Sequence, residues 1–341
     1  MFTIFSDLQR THKPEYIVRK GEHALSHDAP ERIDSILSAI SERELGSVIA
    51  PDDAGLEPIR AVHHEGMIQY LSTAYTQHSM DNEDSSPVLA SYFPPPGQRR
   101  RPDCFEGQKG FYCTDMEVPI GKNTWDAAVA SAHCAWTGAM RLRSGESCVY
   151  ALCRPPGHHA GPDFLGGYCY LNNAAIAADT LRGNGERVAI LDIDYHHGNG
   201  TQAIFFADPQ VWYGSLHVDP DIAYPYFAGY VDETGIGEGE GANWNIPLPS
   251  GTSESQYISV LESLLERLDA FDPRWLVVSA GFDTYVRDPI TTFQVTTSGF
   301  HEIGRRIHAL DIPMLVVQEG GYHVPDLGLN VVAFLAGLLG L

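Results

Sequence analysis

The segment Ile190–Gly200, ILDIDYHHGNG, sets Asp192, Asp194, His196 and His197 directly behind an apolar run. Carboxylates and imidazoles at that density are costly to bury unless a cation binds them. Side chains alternate along an extended backbone, so Asp192, Asp194 and His196 face one way and Ile193, Tyr195 and His197 the other. A same-face Asp-x-His pair offers two ligands to one metal ion, and a third from elsewhere would leave a position open for water, as catalytic sites do. Asp283, in AGFD, is the best third candidate. In RPPGHHAG, His158 and His159 sit in a Pro-Gly turn where paired histidines are more often structural. Opposite an activated water they become candidates for general base and general acid. Asp192 and Asn199 are the nearest acceptors able to fix their far ring nitrogens. Tyr322, in EGGYH after Glu319, is a candidate donor to a developing oxyanion. The plain alternatives are a metal-free hydrogen-bond network for the Asp-His run, a turn aspartate at 283 and a rim aromatic at 322.

These residues share a placement. Short apolar runs (SCVYALC, RVAILDID, VWYGSLH, RWLVVSAG, PMLVVQEGG) alternate with helical segments from Asn172, Ser253 and Ser298. Continuous apolar strands separated by helices predict a parallel sheet covered on both faces. Such sheets place their sites just beyond the carboxyl ends of the strands, and four strand ends here deliver histidine, carboxylate or phenol beside glycine. Helices are also predicted from Ala29 and Thr124, and an apolar C-terminal helix should dock on the sheet. Residues 81–103 are proline-rich with charged ends and read as a long loop insertion rather than a linker, so one domain spans 1–341. Other motifs stay unassigned. HHEG at His63 lies on a predicted helix without a second histidine at metal spacing. His133 reads as a packed histidine. GIGEGEGAN from Gly235 precedes no helix, so it is no phosphate loop.

The composition is globular, with 43% hydrophobic and 19% charged residues among 341. No apolar run approaches the roughly 18 residues of a membrane span, and the start lacks a basic leader, so neither a transmembrane helix nor a signal peptide is expected. Six scattered cysteines without a CxxC pair point to reduced thiols in a cytoplasm. A net charge of −22 disfavours nucleic acid and anionic membranes and attracts cations.

RPPGHHAG, GGYCYLNNAAIAA, ILDIDYHHGNGTQAIF, SLHVDP, AGFD and EGGY, in that order, resemble the metal-dependent histone deacetylase superfamily. FSD at the start, EGQKGFYC at 106–113 and YPYFAGYVDETG from Tyr224 are most similar to its bacterial acetylpolyamine amidohydrolase branch. The resemblance implies an α/β arginase–deacetylase fold with a parallel sheet of about eight strands between helices. It implies Zn2+, with Fe2+ as the alternative, on Asp194, His196 and Asp283, although that mostly oxygen donor set is harder than a usual zinc site. His158 would pair with Asp192 and act as electrostatic helper. His159 would pair with Asn199, where some relatives carry aspartate, and act as base and then acid. A structural K+ or Na+ is implied near Asp192, Asp194, His196, Ser215 and Leu216. Tyr168, Tyr224 and Gly167 would wall a narrow tunnel. The 81–103 insertion would form a homodimer that crowds the mouth. Glu106 and Asp115, with Glu15 less well aligned, are candidates to meet a distal ammonium. Hydrolysis of the acetyl amide of small cationic polyamines is thus the leading reading. Deacetylation of acetyl-lysine in proteins is the runner-up, and a catalytically dead binder is disfavoured because no catalytic position is broken.

Overall fold

The computed structural model describes residues 1–82, 86–95, 97, 100–183 and 185–341. The strands are β1 (Phe2–Ile4), β2 (Ile17–Arg19), β3 (Glu22–Ala24), β4 (Ser47–Ile49), β5 (Cys148–Ala151), β6 (Val188–Asp192), β7 (Val211–Val218), β8 (Asn243–Leu248), β9 (Trp275–Ala280) and β10 (Met314–Gln318). The α-helices are α1 (Glu31–Glu42), α2 (Glu57–Val62), α3 (Glu65–Asn82), α4 (Phe105–Tyr112), α5 (Thr124–Arg143), α6 (Asn173–Arg182), α7 (Asn199–Phe205), α8 (Glu254–Phe271), α9 (Thr297–His308) and α10 (Val324–Leu338). Eight strands form one parallel sheet in the order β4-β1-β5-β10-β9-β6-β7-β8, and β2 and β3 form a separate hairpin.

Strand alternation divides the core into two halves. Val188 and Ile190 of β6 pack with α2, α3, α5 and α6, while Ala189 and Leu191 pack with α1, α8, α9 and α10. Both faces are therefore apolar, which is why these strands read as unbroken hydrophobic runs. The four strands whose ends carry the candidate chemistry, β5, β10, β9 and β6, are neighbours in the middle of the sheet. Parallel register aligns their ends: Asp192 pairs with Ser215 on one side and Ser279 on the other, and Gln318 pairs with Ala280.

Several expectations are adjusted by the fold. The outer strands β4 and β8 and the short β1 between β4 and β5 were not foreseen; β1 and β4 are three residues long, and β8 mixes polar and apolar positions. HHEG lies at the junction of α2 and α3, not inside one helix. Helix α3 runs into the predicted insertion as far as Asn82. Of the remainder, 83–85, 96, 98 and 99 lie outside the described residues. Val88 nevertheless exchanges backbone hydrogen bonds with Ile120, and Val88 and Ala90 are buried, so part of this segment belongs to the core. No described helix is long and apolar enough to cross a membrane.

The C-terminal helix packs between α1 and α9 at close backbone approach. A Cβ on Gly328 would lie 2.1 Å from the Ser35 carbonyl oxygen. Gly328→Val should therefore lower the unfolding free energy by about 1–3 kcal/mol, as overpacking does. Urea denaturation checks this, and an unchanged midpoint would mean that α1 and α10 have room to part.

Candidate active site

β6 ends at Asp192, and its carboxylate folds the chain that follows. Asp194 N–H donates to Asp192 Oδ1 at 3.1 Å, and His196 N–H donates to Asp194 Oδ1 at 2.9 Å. Such aspartate turns substitute side-chain acceptors for the lost sheet partners. Two neighbouring strand ends supply the rest. Gly320 N–H, after β10, donates to Asp194 Oδ2 at 2.9 Å, and Asp283, after β9, accepts from Tyr195 N–H through Oδ1 at 2.9 Å. Glycine is required at 320, because a Cβ would lie 2.6 Å from both Asp194 Oδ2 and Asp283 Oδ2.

Ligand atoms of Asp194, His196 and Asp283 thereby come within 4.8 Å of one another. His196 Nδ1 lies 3.4 Å from Asp194 Oδ1 and 3.3 Å from Asp283 Oδ2. Asp283 Oδ2 is buried without a hydrogen-bond donor. Burial, and then the neighbouring charge of Asp194, push the Asp283 carboxyl up to about 7. An orphaned oxygen and two facing carboxylates are what a divalent cation would satisfy, so this donor set fits one.

His158 and His159 follow β5 and are almost wholly buried. His158 Nδ1 is 3.1 Å from Asp192 Oδ2, and His159 Nδ1 is 2.8 Å from Asn199 Oδ1. Burial disfavours imidazolium at His158, but Asp194 and Asp192 outweigh it and raise the pKa to about 10. Burial, then the charges of His158 and His196, hold His159 well below its usual value. The pair is thus split into one cation and one neutral base: two carboxylates hold charge on His158, and burial beside that cation keeps it off His159.

A cavity of about 1240 Å³ reaches this cluster, lined among others by His159, His196, Tyr168, Tyr224 and Tyr322. Tyr168 adopts the left-handed region, φ +67°, beside Gly167 at φ +50°. A Cβ at Gly167 would lie 2.5 Å from the His159 ring, so only glycine passes there. Burial keeps the Tyr322 phenol protonated far above neutral pH.

Several residues take other places than expected. Glu106 lies outside the cavity lining and pairs with Lys109 at 2.6 Å. Asp115 lines the cavity, but its Oδ2 accepts from Tyr224 O–H and Gly167 N–H and its Oδ1 from Glu117 N–H, so it positions the wall. Glu15 is exposed and does not line the cavity. His63 is buried and holds the loop after β5 through Gly161 O and Asn172 N–H. His133 contacts the Gly55 carbonyl. Ser215 and Leu216 on β7 flank Asp192, and Ser215 Oγ meets His217 Nδ1.

Sequence reasoning missed the supports. Glu319 Oε2 accepts from Gly157 and His158 N–H, and its Oε1 from Ser279 O–H. Arg32, 4.9 Å from the Tyr322 ring centre, donates to the carbonyls of Glu319 and Gly321. Asp28 joins Arg32 and Arg154 in the interior. Glu319 stood beside a recognised motif, whereas Arg32 and Asp28 carried no local signal.

The histone deacetylase domain matches residues 26–338. The chain belongs to the histone deacetylase family. It is 41% identical over 346 residues to acetylpolyamine amidohydrolase 1 of Pseudomonas aeruginosa, covering 100% of this chain and 99% of that protein. It is 41% identical to the acetylpolyamine amidohydrolase of Mycoplana ramosa, covering 100% of both chains. The crystal structure of the acetylpolyamine aminohydrolase from Burkholderia pseudomallei superposes with a TM-score of 0.95 at 41% identity, over 99% of this chain and 98% of that one. The α/β architecture of this histone deacetylase family member, an eight-stranded parallel sheet between helices, is the deacetylase fold.

Folding raises the His158 pKa above its ordinary 6.5, so its contribution to stability is full below pH 6.5 and is lost as pH rises toward 10. In the metal-free protein, imidazole NMR should show His158 protonated at pH 8 and His159 neutral at pH 6. A His158 midpoint near 6.5 would contradict the geometry.

Proposed function

We propose that the protein hydrolyses the acetyl amide of acetylated polyamines, releasing acetate and the free amine. The observation that carries this reading is the likeness, at about 41% identity over the full length, to acetylpolyamine amidohydrolases, whose reaction the buried His-Asp cluster at the end of an aromatic-walled cavity can perform. Asp194, His196 and Asp283 would hold a divalent ion, Zn2+ or Fe2+. Such an ion supplies Lewis acidity to an amide carbonyl and lowers the pKa of a water. His159, kept neutral by burial and the charges of His158 and His196 and oriented by Asn199, accepts the proton of the attacking water. His158 stays cationic and steadies the developing negative charge. The Tyr322 phenol donates to the carbonyl oxygen as it becomes an oxyanion. The C–N bond then breaks and His159 returns its proton to the departing amine. Tyr168 and Tyr224 present faces suited to an alkyl chain and its ammonium.

The in-register Asp192–Ser215 pair supports a K+ or Na+ site at Asp192, Asp194, His196, Ser215 and Leu216. Tyr92 is 72% exposed and Phe227 92%, the latter on the cavity rim, which supports a homodimer built over the mouth with the 81–103 segment. Six unpaired cysteines, five of them buried, support a reducing cytoplasm.

The test sets acetylputrescine, acetylcadaverine, acetylspermidine and an acetyl-lysine peptide side by side. The acetylpolyamines should win by kcat/KM; a win for the peptide would hand the assignment to protein deacetylation. Tyr322→Phe should lower kcat and kcat/KM together by about 2.7–4 kcal/mol of transition-state energy, and a rise in KM alone would reduce Tyr322 to a positioning role. Asn199→Asp places a carboxylate on His159 and raises its pKa, so the acid limb of the pH–rate profile should move to higher pH. An unmoved limb would show that another group sets it.

A further inference from the structure

One partly exposed charged pair in the cavity lining is unused by the proposed reaction. Arg19 donates through Nε to Glu117 Oε1 at 2.8 Å and through Nη2 to Glu117 Oε2 at 2.5 Å, and Nη2 also donates to the Tyr168 hydroxyl. Both residues line the cavity, with side chains 29% and 21% exposed. The pair is built in. Arg19 ends β2 at a two-residue hairpin turn, Lys20 and Gly21, both left-handed at φ +54° and +81°. Val18 N–H donates to Met116 O, which ties the hairpin to the segment bearing Glu117.

The other acidic groups of the lining are occupied. Asp115 accepts from Tyr224 and Gly167, and Glu233 from Gln202 and Gly229. Glu117 is therefore the lining carboxylate placed to meet a distal ammonium, and it already holds a cation in a bidentate fork. Resting on the reading of the cavity as an amidohydrolase tunnel, we propose that Arg19 is a specificity-determining residue. It occupies Glu117 as an internal counter-cation, so a substrate's distal ammonium is recognised only by displacing it. The cavity thus discounts distal positive charge despite the acidic chain around it.

The test uses the metal-loaded protein and two acetamides of equal length, N-acetylcadaverine with a distal ammonium and N-pentylacetamide with a distal methyl. Arg19→Gln should raise the kcat/KM ratio of the first to the second by about three- to tenfold, through KM, as expected for freeing one partly exposed carboxylate and removing one like charge. Adding Glu117→Gln should erase the gain, and Arg19→Lys, which keeps the charge, should show little of it. A parallel loss on both substrates would overturn the proposal and leave Arg19 as a prop for Tyr168; so would an unchanged ratio. Calorimetric binding of pentane-1,5-diamine against pentylamine reads the same ratio without turnover. A ratio that moves with Arg19 while neither amide is cleaved would sink the deacetylase reading and keep this one.

Discussion

Buried negative charge at the carboxyl ends of β6, β9 and β10 is the constraint to which the rest of the structure answers. Asp192, Asp194, Asp283 and Glu319 lie in one layer, each wholly buried. Isolated carboxylates in such a place would neutralise rather than ionise, and Asp283 and Glu319 are indeed pushed up to about 7, in each case first by burial. The fold supplies compensation in three forms: backbone N–H groups from glycine-rich turns, the imidazolium of His158, and a gap between Asp194, His196 and Asp283 whose remaining oxygen has no donor.

Asp28 and Arg32 from the N-terminal third, together with Arg154, tie this layer to its surroundings. Arg32 from α1 and Arg154 after β5 are buried on Asp28 and reach the carbonyls of Gly321 and Glu319 on one side and of Gln9 and His12 on the other. A buried triad of this kind is weak evidence for net stability, but removing one member leaves charges uncompensated. It joins the turn bearing Tyr322 to the turn bearing the histidine pair, so Tyr322 and the two histidines are held relative to one another through arginine as well as through the sheet.

Much of this was legible in the sequence because the chemistry follows strands whose apolar runs are unbroken. Asp192 through His196 are contiguous, and His158, Asp283 and Tyr322 each sit just past a recognisable strand, so topology alone brings them together. What stayed hidden depends on long-range pairing. Arg32 meets Gly321 across 289 positions, and Arg19 meets Glu117 across 98, with nothing local to announce either. Strands of three residues, such as β1 and β4, carry no periodicity to read. Glu106, singled out from a motif, has its partner in Lys109 three residues along its own helix, an ordinary helical pair that the motif did not reveal.

The central claim is that the Asp194–His196–Asp283 cluster exists to be closed by one divalent ion. Titration of the metal-free protein with Zn2+ by calorimetry, in buffers of different ionisation enthalpy, measures both stoichiometry and protons released. One ion per chain, bound with release of the proton that Asp283 and His196 hold in the empty cluster, and lost in Asp283→Asn, is the predicted result. Binding without stoichiometry, or undiminished in Asp283→Asn, would contradict it.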